Sequence, residues 1–443
     1  MNASLDPVDT TGERKDDKDL ILEAMANFDL AVTAYTPART QAREDLKFVA
    51  GKQADTATDG DPYALQVNLL NPFLRQITAE IRSSNPAVRV VAQDDEDVDT
   101  AEIRGGLIRA IEQDSNSEYV YQNAVWYAAA SGEGYFFIDT EYVADDSFDQ
   151  NLLLKACPNP EMVFIDPSHT EPTGKDCEWG FVIKDIPTAA YRRQFPKSEL
   201  NDRLGTTSWS RLTLPKQWLT ENTVRVAQYW VKQYKQKKLW LVQNPQTLEQ
   251  YTMDTRPGDD VVLLRKEPRV VQVAEVKGYT INGIEVLEKI DWPGTRIPIF
   301  KVPGDTFYIG GEKTQFGAVR QAIDCQRQYN YAVSRQTEMV DMAPKSPWII
   351  TTKQLGNNAE KWANSNRVGY GYLDYNNEQG AQAPYKAAGI NTSDFSAVVQ
   401  SREQAYEDMK RVFGLNDASM GSVSKGAMSG VAIDSQVEQG SRS

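Results

Sequence analysis

The apolar positions of this chain change period from one end to the other, and those changes mark out its elements. Residues 20–49 repeat at helical spacing, with Leu20, Ile21, Ala24, Met25 and Phe28 on one face. Pro37 is expected to split that helix and Gly51 to end it. Residues 65–84 read as a second helix broken near Pro72, and Phe73, Ile77 and Ile81 fall four apart. Residues 87–92 read as a strand, 93–99 as an acidic loop, and 100–113 and 118–130 as helices. The period then drops to two, which predicts strands over 135–143, 151–158, 162–167 and 178–183. Residues 186–204 read as a helix with Thr188 as N-cap. Beyond a loop at 205–222, residues 223–300 are β-rich. Strands 223–234 and 237–242 are expected to flank a short polar turn, and 270–281 and 284–290 flank Asn282-Gly283, a strong hairpin signal.

Residues 314–414 carry the longest organised pattern. A helix over 314–343 is stopped by Pro344 and Pro347. A second runs over 393–413, with Ser393 as N-cap, Asp394 at its positive end and Gly414 as the stop. Between them lies a compact insert, 344–390. In the second helix Phe395, Val398, Val399, Ala405, Tyr406, Met409, Val412 and Phe413 form one apolar stripe, suited equally to a core or to a neighbouring copy. The first helix is crowded with Asp324, Gln326, Arg327, Asn330 and Ser334. That is too polar for a buried core and suits contacts between copies or a wet lumen. Residues 415–430 are small, polar and rich in Gly and Ser, so a mobile loop is expected there. Residues 429–443 start a further helix without a stop, and 1–18 read as disordered.

Composition sharpens this picture. The 443 residues suffice for two or three domains, with no apolar run of membrane-spanning length and no secretory signal. Three cysteines without CxxC spacing make neither a disulfide framework nor a zinc site, and fit a reducing compartment. The single histidine, His169, leaves little room for a histidine-based dyad or metal cluster. The net charge of −14 lies wholly in residues 1–313, because the rest carries 13 basic and 13 acidic residues. The insert is mildly basic through Lys345, Lys353, Lys361, Arg367 and Lys386. So acidic a chain is not expected to grip nucleic acid tightly as a monomer.

Candidate chemistry is sparse. Gly310–Thr314 (GGEKT) has Glu312 where a phosphate loop needs glycine, so a turn leading into a helix is the better reading. The acidic run Asp94, Asp95, Glu96, Asp97 and Asp99 lacks the glycine and bidentate glutamate of a calcium loop. Asp166, His169, Glu171 and Asp176 could support acid–base chemistry, but their turn-rich setting favours a structural use. No catalytic residue, metal site or cofactor is expected. A metal-dependent hydrolase or nuclease built on the 166–176 carboxylates is the rival from the enzyme class.

Several segments, in order, resemble the portal (head–tail connector) proteins of tailed bacteriophages, in the short-tailed subgroup. They are AREDLKFVAGKQ (42–53), VNLLNPFLRQITAEIRSSNPAVRV (67–90), AEIRGGLIRAIEQDSNSEYVYQNA (101–124), SGEGYFFIDTEY (131–142), MVFIDPS (162–168), WPGTRIPIF (292–300), FGAVRQAIDCQRQYNYAVS (316–334) and SGVAIDSQVEQG (429–440). Ala54 stands where that family has tryptophan. The resemblance implies a mixed α+β subunit: an α/β wing (19–313), two long stem helices (314–343 and 391–414), a small α/β clip inserted between them (344–390), and a channel loop (415–428). A crown would follow 429–443, which reads as truncated before it. The resemblance also implies a homo-oligomeric ring, usually of twelve copies, at one capsid vertex of the virion, assembled in the host cytoplasm. Double-stranded DNA would pass through it, weakly bound, during packaging and ejection. Terminase, tail adaptor, capsid and scaffolding proteins would be its partners, with no membrane. On that reading the DNA-facing candidates are Ser419, Met420, Ser422, Ser424, Lys425 and Met428. The five basic clip residues would dock partners, and Asp324, Gln326, Arg327, Asn330 and Ser334 would make subunit contacts. The clip aromatics Trp348, Trp362, Tyr370 and Tyr372 are expected mainly to form the clip's own core. A structural capsid or adaptor protein without a DNA channel is the alternative.

Overall fold

The computed structural model describes residues 17–53, 64–84, 88–92, 97–144, 146–202, 218, 222–243, 250–255, 262–265, 267–342, 347–365, 368–386 and 392–415. In chain order the elements begin with α1 (Asp17–Val49), α2 (Leu70–Ser84), α3 (Val98–Asp114) and α4 (Ser117–Ser131). The β-rich part follows: β1 (Glu133–Tyr142), β2 (Gln150–Ala156), β3 (Val163–Ile165), β4 (Trp179–Pro187), α5 (Thr188–Gln194), β5 (Thr223–Gln243), β6 (Gln250–Met253), β7 (Val262–Leu263), β8 (Arg269–Ile281), β9 (Val286–Trp292), β10 (Ile299–Pro303), β11 (Asp305–Ile309) and β12 (Glu312–Phe316). Last come α6 (Ala318–Met342), β13 (Trp348–Ile349), α7 (Thr352–Leu355), α8 (Ala359–Ala363), β14 (Tyr385–Lys386) and α9 (Thr392–Val412). The mixed α+β class expected from the sequence is the observed one.

The chain forms two compact units. One comprises Met1–Thr40, Ala87–Ala128 and Glu133–Gln315, and the other Gln41–Pro86, Ala129–Gly132 and Phe316–Ser443. The first is built on antiparallel sheets of order β10-β1-β2 and β3-β4-β5-β8-β9, with β6 and β7 on the far end of β5. The apolar stripe of α1 supplies the cover. Phe28 meets Phe164, Phe181 and Trp218 edge-on at 5.2, 5.7 and 5.5 Å. Burying such a ring stabilises by roughly 2–3 kcal/mol. Arg39, buried on the same helix, stacks 3.7 Å over Phe164 and donates to the Glu161 and Val163 carbonyls. Glu133, Lys301 and Tyr135 form a buried polar cluster: Lys301 Nζ lies 3.3 Å from Glu133, and the Tyr135 hydroxyl donates to it at 2.9 Å. Burial opposes ionisation of Glu133, but Lys301 and Arg39 outweigh it and hold the carboxyl below its ordinary range.

Several sequence expectations are corrected. Helix α1 runs unbroken through Pro37, because its packed face outweighs one lost backbone bond. Two hydrogen bonds at its end, Lys52 N–H to Lys47 and Gly51 N–H to Phe48, close it where Gly51 takes φ +88°, as expected. Helix α2 starts only at Leu70, so Pro72 sits in the first turn, where its missing N–H has no partner to lose. Residues 88–92 carry no strand: Val88 and Val91 are exposed, and alternation alone supplies no partner strand. The helix expected over 186–204 shrinks to α5 and a turn at Glu199–Asp202, since Pro196 disfavours helical geometry at Phe195. Pro187, not Thr188, holds the N-cap position.

The polar turn expected near 235–236 is absent. β5 is one strand of 21 residues, and its lysine-rich stretch pairs in register with β8, Lys235 opposite Val273 and Lys238 opposite Val270. The Asn282-Gly283 hairpin forms, with Gly283 at φ +86° and Asn282 Oδ1 accepting the N–H groups of Ile284 and Glu285. GGEKT does not lead into a helix. Gly310 and Gly311, at φ +61° and +90°, turn β11 into β12.

Candidate functional site

Within the second unit, α6 and α9 pack against one another around the insert that leaves the first and returns to the second. Cross-links tie them: Gln328 donates to Ser401 at 3.3 Å, and Arg402 donates to Gln336 at 2.8 Å. The apolar stripe of α9 divides. Ala405, Met409 and Phe413 are buried, whereas Phe395, Val398 and Val399 are only half-buried. Phe73 of α2 packs on Tyr406 and Phe413 at 5.7 and 5.8 Å. α9 ends as expected at Gly414, φ +65°, with Leu415 N–H bonded to Lys410 and Gly414 N–H to Arg411. Ser393 lies inside the first turn rather than at the cap.

The polar face of α6 has a partner within its own chain. Residues 64–69 run alongside it as an extended strap. Gln326 Oε1 accepts the N–H of Leu69 at 3.0 Å, and its Nε2 donates to the Val67 carbonyl at 2.8 Å. Asn330 Oδ1 accepts the N–H of Val67, and Ser334 Oγ that of Leu65, both at 3.0 Å. Asn330 also donates to Gln53 at 2.7 Å, and Asn68 to the Val49 carbonyl at 2.7 Å, so carboxamides wire the end of α1 to the strap and to α6. Gln326 is fully buried, which corrects the expectation that this helix is too polar for a core. The signal lay in the spacing: Gln326, Asn330 and Ser334 are four apart, one side-chain hydrogen-bonding row on one face. Asp324 and Arg327 differ. They face solvent, paired to each other at 3.3 Å, with Arg327 also 5.4 Å over Phe48. Further along, buried Asp45 meets Arg320 at 3.0 Å; burial lifts its carboxyl to about 6 despite the guanidinium.

The insert has a core of its own. Trp348 and Trp362 meet edge-on at 5.1 Å, and Trp362 Nε1 donates to the Asp374 carbonyl at 2.9 Å. Thr351 and Gln354 make a reciprocal cap on α7. Tyr370 and Tyr372 lie outside this core and are exposed. Lys353 pairs with Glu378 at 3.4 Å, Lys361 with Asp374 at 3.3 Å, and Lys386 sits 5.4 Å over the Trp348 ring. Lys345 and Arg367 lie outside the described residues, as do Asp94, Asp95 and Glu96 and the six loop candidates Ser419, Met420, Ser422, Ser424, Lys425 and Met428.

Of the 166–176 carboxylates, Asp166 and Asp176 are engaged in the turn that carries them, and Glu171 is exposed. Asp166 Oδ1 accepts the N–H and hydroxyl of Ser168. Asp176 accepts from Thr170 N–H, Thr170 hydroxyl and Glu171 N–H. Slight burial opposes them, but these bonds hold Asp176 down at about 2. His169 Nδ1 lies 2.7 Å from the Asp166 carbonyl and Nε2 lies 2.8 Å from Lys313 Nζ. A carbonyl only accepts and an ammonium only donates, so the imidazole is neutral with its proton on Nδ1. Among the described residues no group of three or more His, Cys, Asp or Glu side chains could hold a metal ion.

The family model for the phage P22-like portal protein matches residues 25–443 of this chain. The chain belongs to the P22-like portal family. A curated relative, the portal protein of Acyrthosiphon pisum secondary endosymbiont phage 1, is 24% identical over 379 residues, covering 80% of this chain and 52% of the relative. The chain thus spans about half the length of that portal protein. The family resemblance read from the sequence is confirmed by this match.

Proposed function

We propose that this chain is a structural, non-enzymatic subunit of a ring set at one capsid vertex of a phage virion. Double-stranded DNA passes along its axis during packaging and ejection. The carrying observation is the pair α6 and α9 bracketing a separately cored insert, in a chain of the portal family. On this reading 19–313 is the wing, 314–343 and 391–414 are the stem, 344–390 is the clip, 415–428 is the channel loop and 429–443 begins the next helix. The charge distribution supports it: the net charge of −14 lies in the wing part of the chain, where it repels phosphate and disfavours tight binding, while the neutral stem and loop offer DNA only a few lysines. Lys425, the sole charge within 418–430, is the phosphate contact in that loop, flanked by Ser419, Met420, Ser422, Ser424 and Met428.

The clip lysines dock terminase and tail adaptor proteins. Lys353 and Lys361 are themselves exposed in their pairs with Glu378 and Asp374, Lys361 also lying 5.9 Å from the Tyr372 ring, and such surface pairs are worth little and exchange readily for a partner's carboxylates. Lys345, Arg367 and Lys386 complete that set. Asp324 and Arg327, exposed on α6, face the neighbouring copy, whereas Gln326, Asn330 and Ser334 act through the strap they hold. Electron microscopy of the purified protein, viewed down the ring axis, tests the proposal. A closed ring with a central channel, of about twelve copies, is expected. A stable monomer at high concentration, or an assembly without a channel, rejects it; the second outcome favours an adaptor.

A further inference from the structure

Two features of the first unit are left uncovered within a single copy. One is a cavity of about 620 Å³ between β1–β2 and β4, with apolar walls that include Phe137, Ile138, Met162, Val182, Ile186 and Trp230. That volume is ample for an aromatic side chain. The charged groups at its margin are mostly committed: Lys155 to Asp139 and Glu141, and Asp185 to Arg225. Lys184 also lines it, is exposed, and has no ion-pair partner among the described residues.

The other is the tip of the β1–β2 hairpin. Phe148 is 96% exposed there, with Tyr142 and Val143 beside it at 61% and 55%. Single exposed apolar residues are ordinary, but three on one protruding tip mark a contact surface. The tip is also acidic, with Asp146 and Asp149 flanking Phe148. It cannot fill the cavity of its own chain. The ladder of β1 and β2 is paired as far as Tyr142 opposite Gln150, and the step from Asp139 at the cavity to Val143 is already about 13 Å along the strand.

We propose that the β1–β2 tip of one copy inserts Phe148 into this cavity of the next, with Asp146 and Asp149 meeting Lys184. The knob and the hole are different surfaces of the same chain, so the contact is head-to-tail. Repeated, such contacts close into a ring when the rotation permits. The inference rests on the ring reading above and assigns that ring one specific contact.

The test measures assembly of the purified full chain by native mass spectrometry and sedimentation. Phe148→Ala is expected to raise the concentration for half-assembly about tenfold or more, the effect of removing one buried phenyl per interface. Lys184→Glu weakens assembly in the same direction, and combining it with Asp149→Lys restores it. Both positions are exposed, so misfolding does not account for the rescue. As a direct check, the Asp149→Cys/Lys184→Cys variant, oxidised and mapped by peptide mass spectrometry, yields a 149–184 disulfide between chains. If the wild-type chain forms rings, the absence of that disulfide in the double-cysteine variant together with no effect of Phe148→Ala overturns the knob-and-hole contact while leaving the ring reading intact. A wild-type chain that stays monomeric overturns both.

Discussion

The Gln326 side chain grips the backbone of Leu69 and Val67 at both ends of its carboxamide, from a fully buried position on α6. Gln326→Leu keeps the volume but takes from the part-buried Leu69 N–H and Val67 carbonyl their side-chain partner. A loss of about 1–3 kcal/mol is expected. It should appear as a lower denaturation midpoint and as faster hydrogen exchange at the Leu69 amide. Unchanged exchange there would show that the strap does not depend on this residue.

His169 lends itself to direct measurement, because it is the only histidine and gives one imidazole signal. Burial first, then the Lys301 and Lys313 ammoniums, hold its pKa below the ordinary imidazole value. A base with a depressed folded pKa contributes stability that is fully present above its unfolded pKa, about 6.5. That stability is lost as pH falls through the folded pKa. The imidazole is therefore expected to titrate below 6.5 in the folded chain, and His169→Gln should flatten the fall in stability on acidification below that value. A titration midpoint at or above 6.5 would contradict the Lys313 contact.

Two glycines are required by close approach. A Cβ at Gly134 would lie 1.8 Å from the Ala124 carbonyl oxygen, and one at Gly317 would lie 2.4 Å from that of Ala129. Both neighbours are helix backbone and cannot step aside cheaply. Gly134→Ala and Gly317→Ala are each expected to cost about 3 kcal/mol or more, or to abolish soluble expression. Gly106→Ala on α3, where a Cβ meets nothing within 4 Å, is the control and should be neutral or slightly stabilising.

If residues 415–428 form the channel loop, Lys425→Ala leaves ring assembly intact and changes DNA handling. Particles built with it are expected to package less DNA or to lose it sooner, read as genome length and retention per particle. Full, stable genomes at wild-type yield would remove Lys425 from the channel.

Sequence patterns located most helices and strands, because helical and alternating periods report which face is buried. They failed where tertiary partners decide. Pro37 was outweighed by the packing of α1. The lysines of β5 are held in a ladder by β8 rather than released into a turn. The strap at 64–69 has no period at all, because its backbone is satisfied by Gln326, Asn330 and Ser334, more than 250 residues away in sequence. Those three were singled out from the sequence as contacts between copies; their hydrogen bonds within the chain show how a polar helix face can be buried.

In the insert, core and surface aromatics separate cleanly, and a pair of substitutions exploits this. Trp362 is 7% exposed, stacked edge-on against Trp348 and hydrogen-bonded to the Asp374 carbonyl, so Trp362→Ala leaves a cavity and an unpaired carbonyl together. A loss of about 3–5 kcal/mol is expected, enough to unfold so small a core on its own. Tyr372, 77% exposed, contributes little to that core, and Tyr372→Ser should lie within about 0.5 kcal/mol of wild type. If the insert docks partner proteins, Tyr372→Ser combined with Lys361→Ala weakens binding of terminase or tail adaptor while the ring and the insert stay folded. Trp362→Ala removes binding only by unfolding the insert, which limited proteolysis between residues 347 and 386 reports. Intact partner binding by the Tyr372→Ser/Lys361→Ala chain would place the docking surface elsewhere.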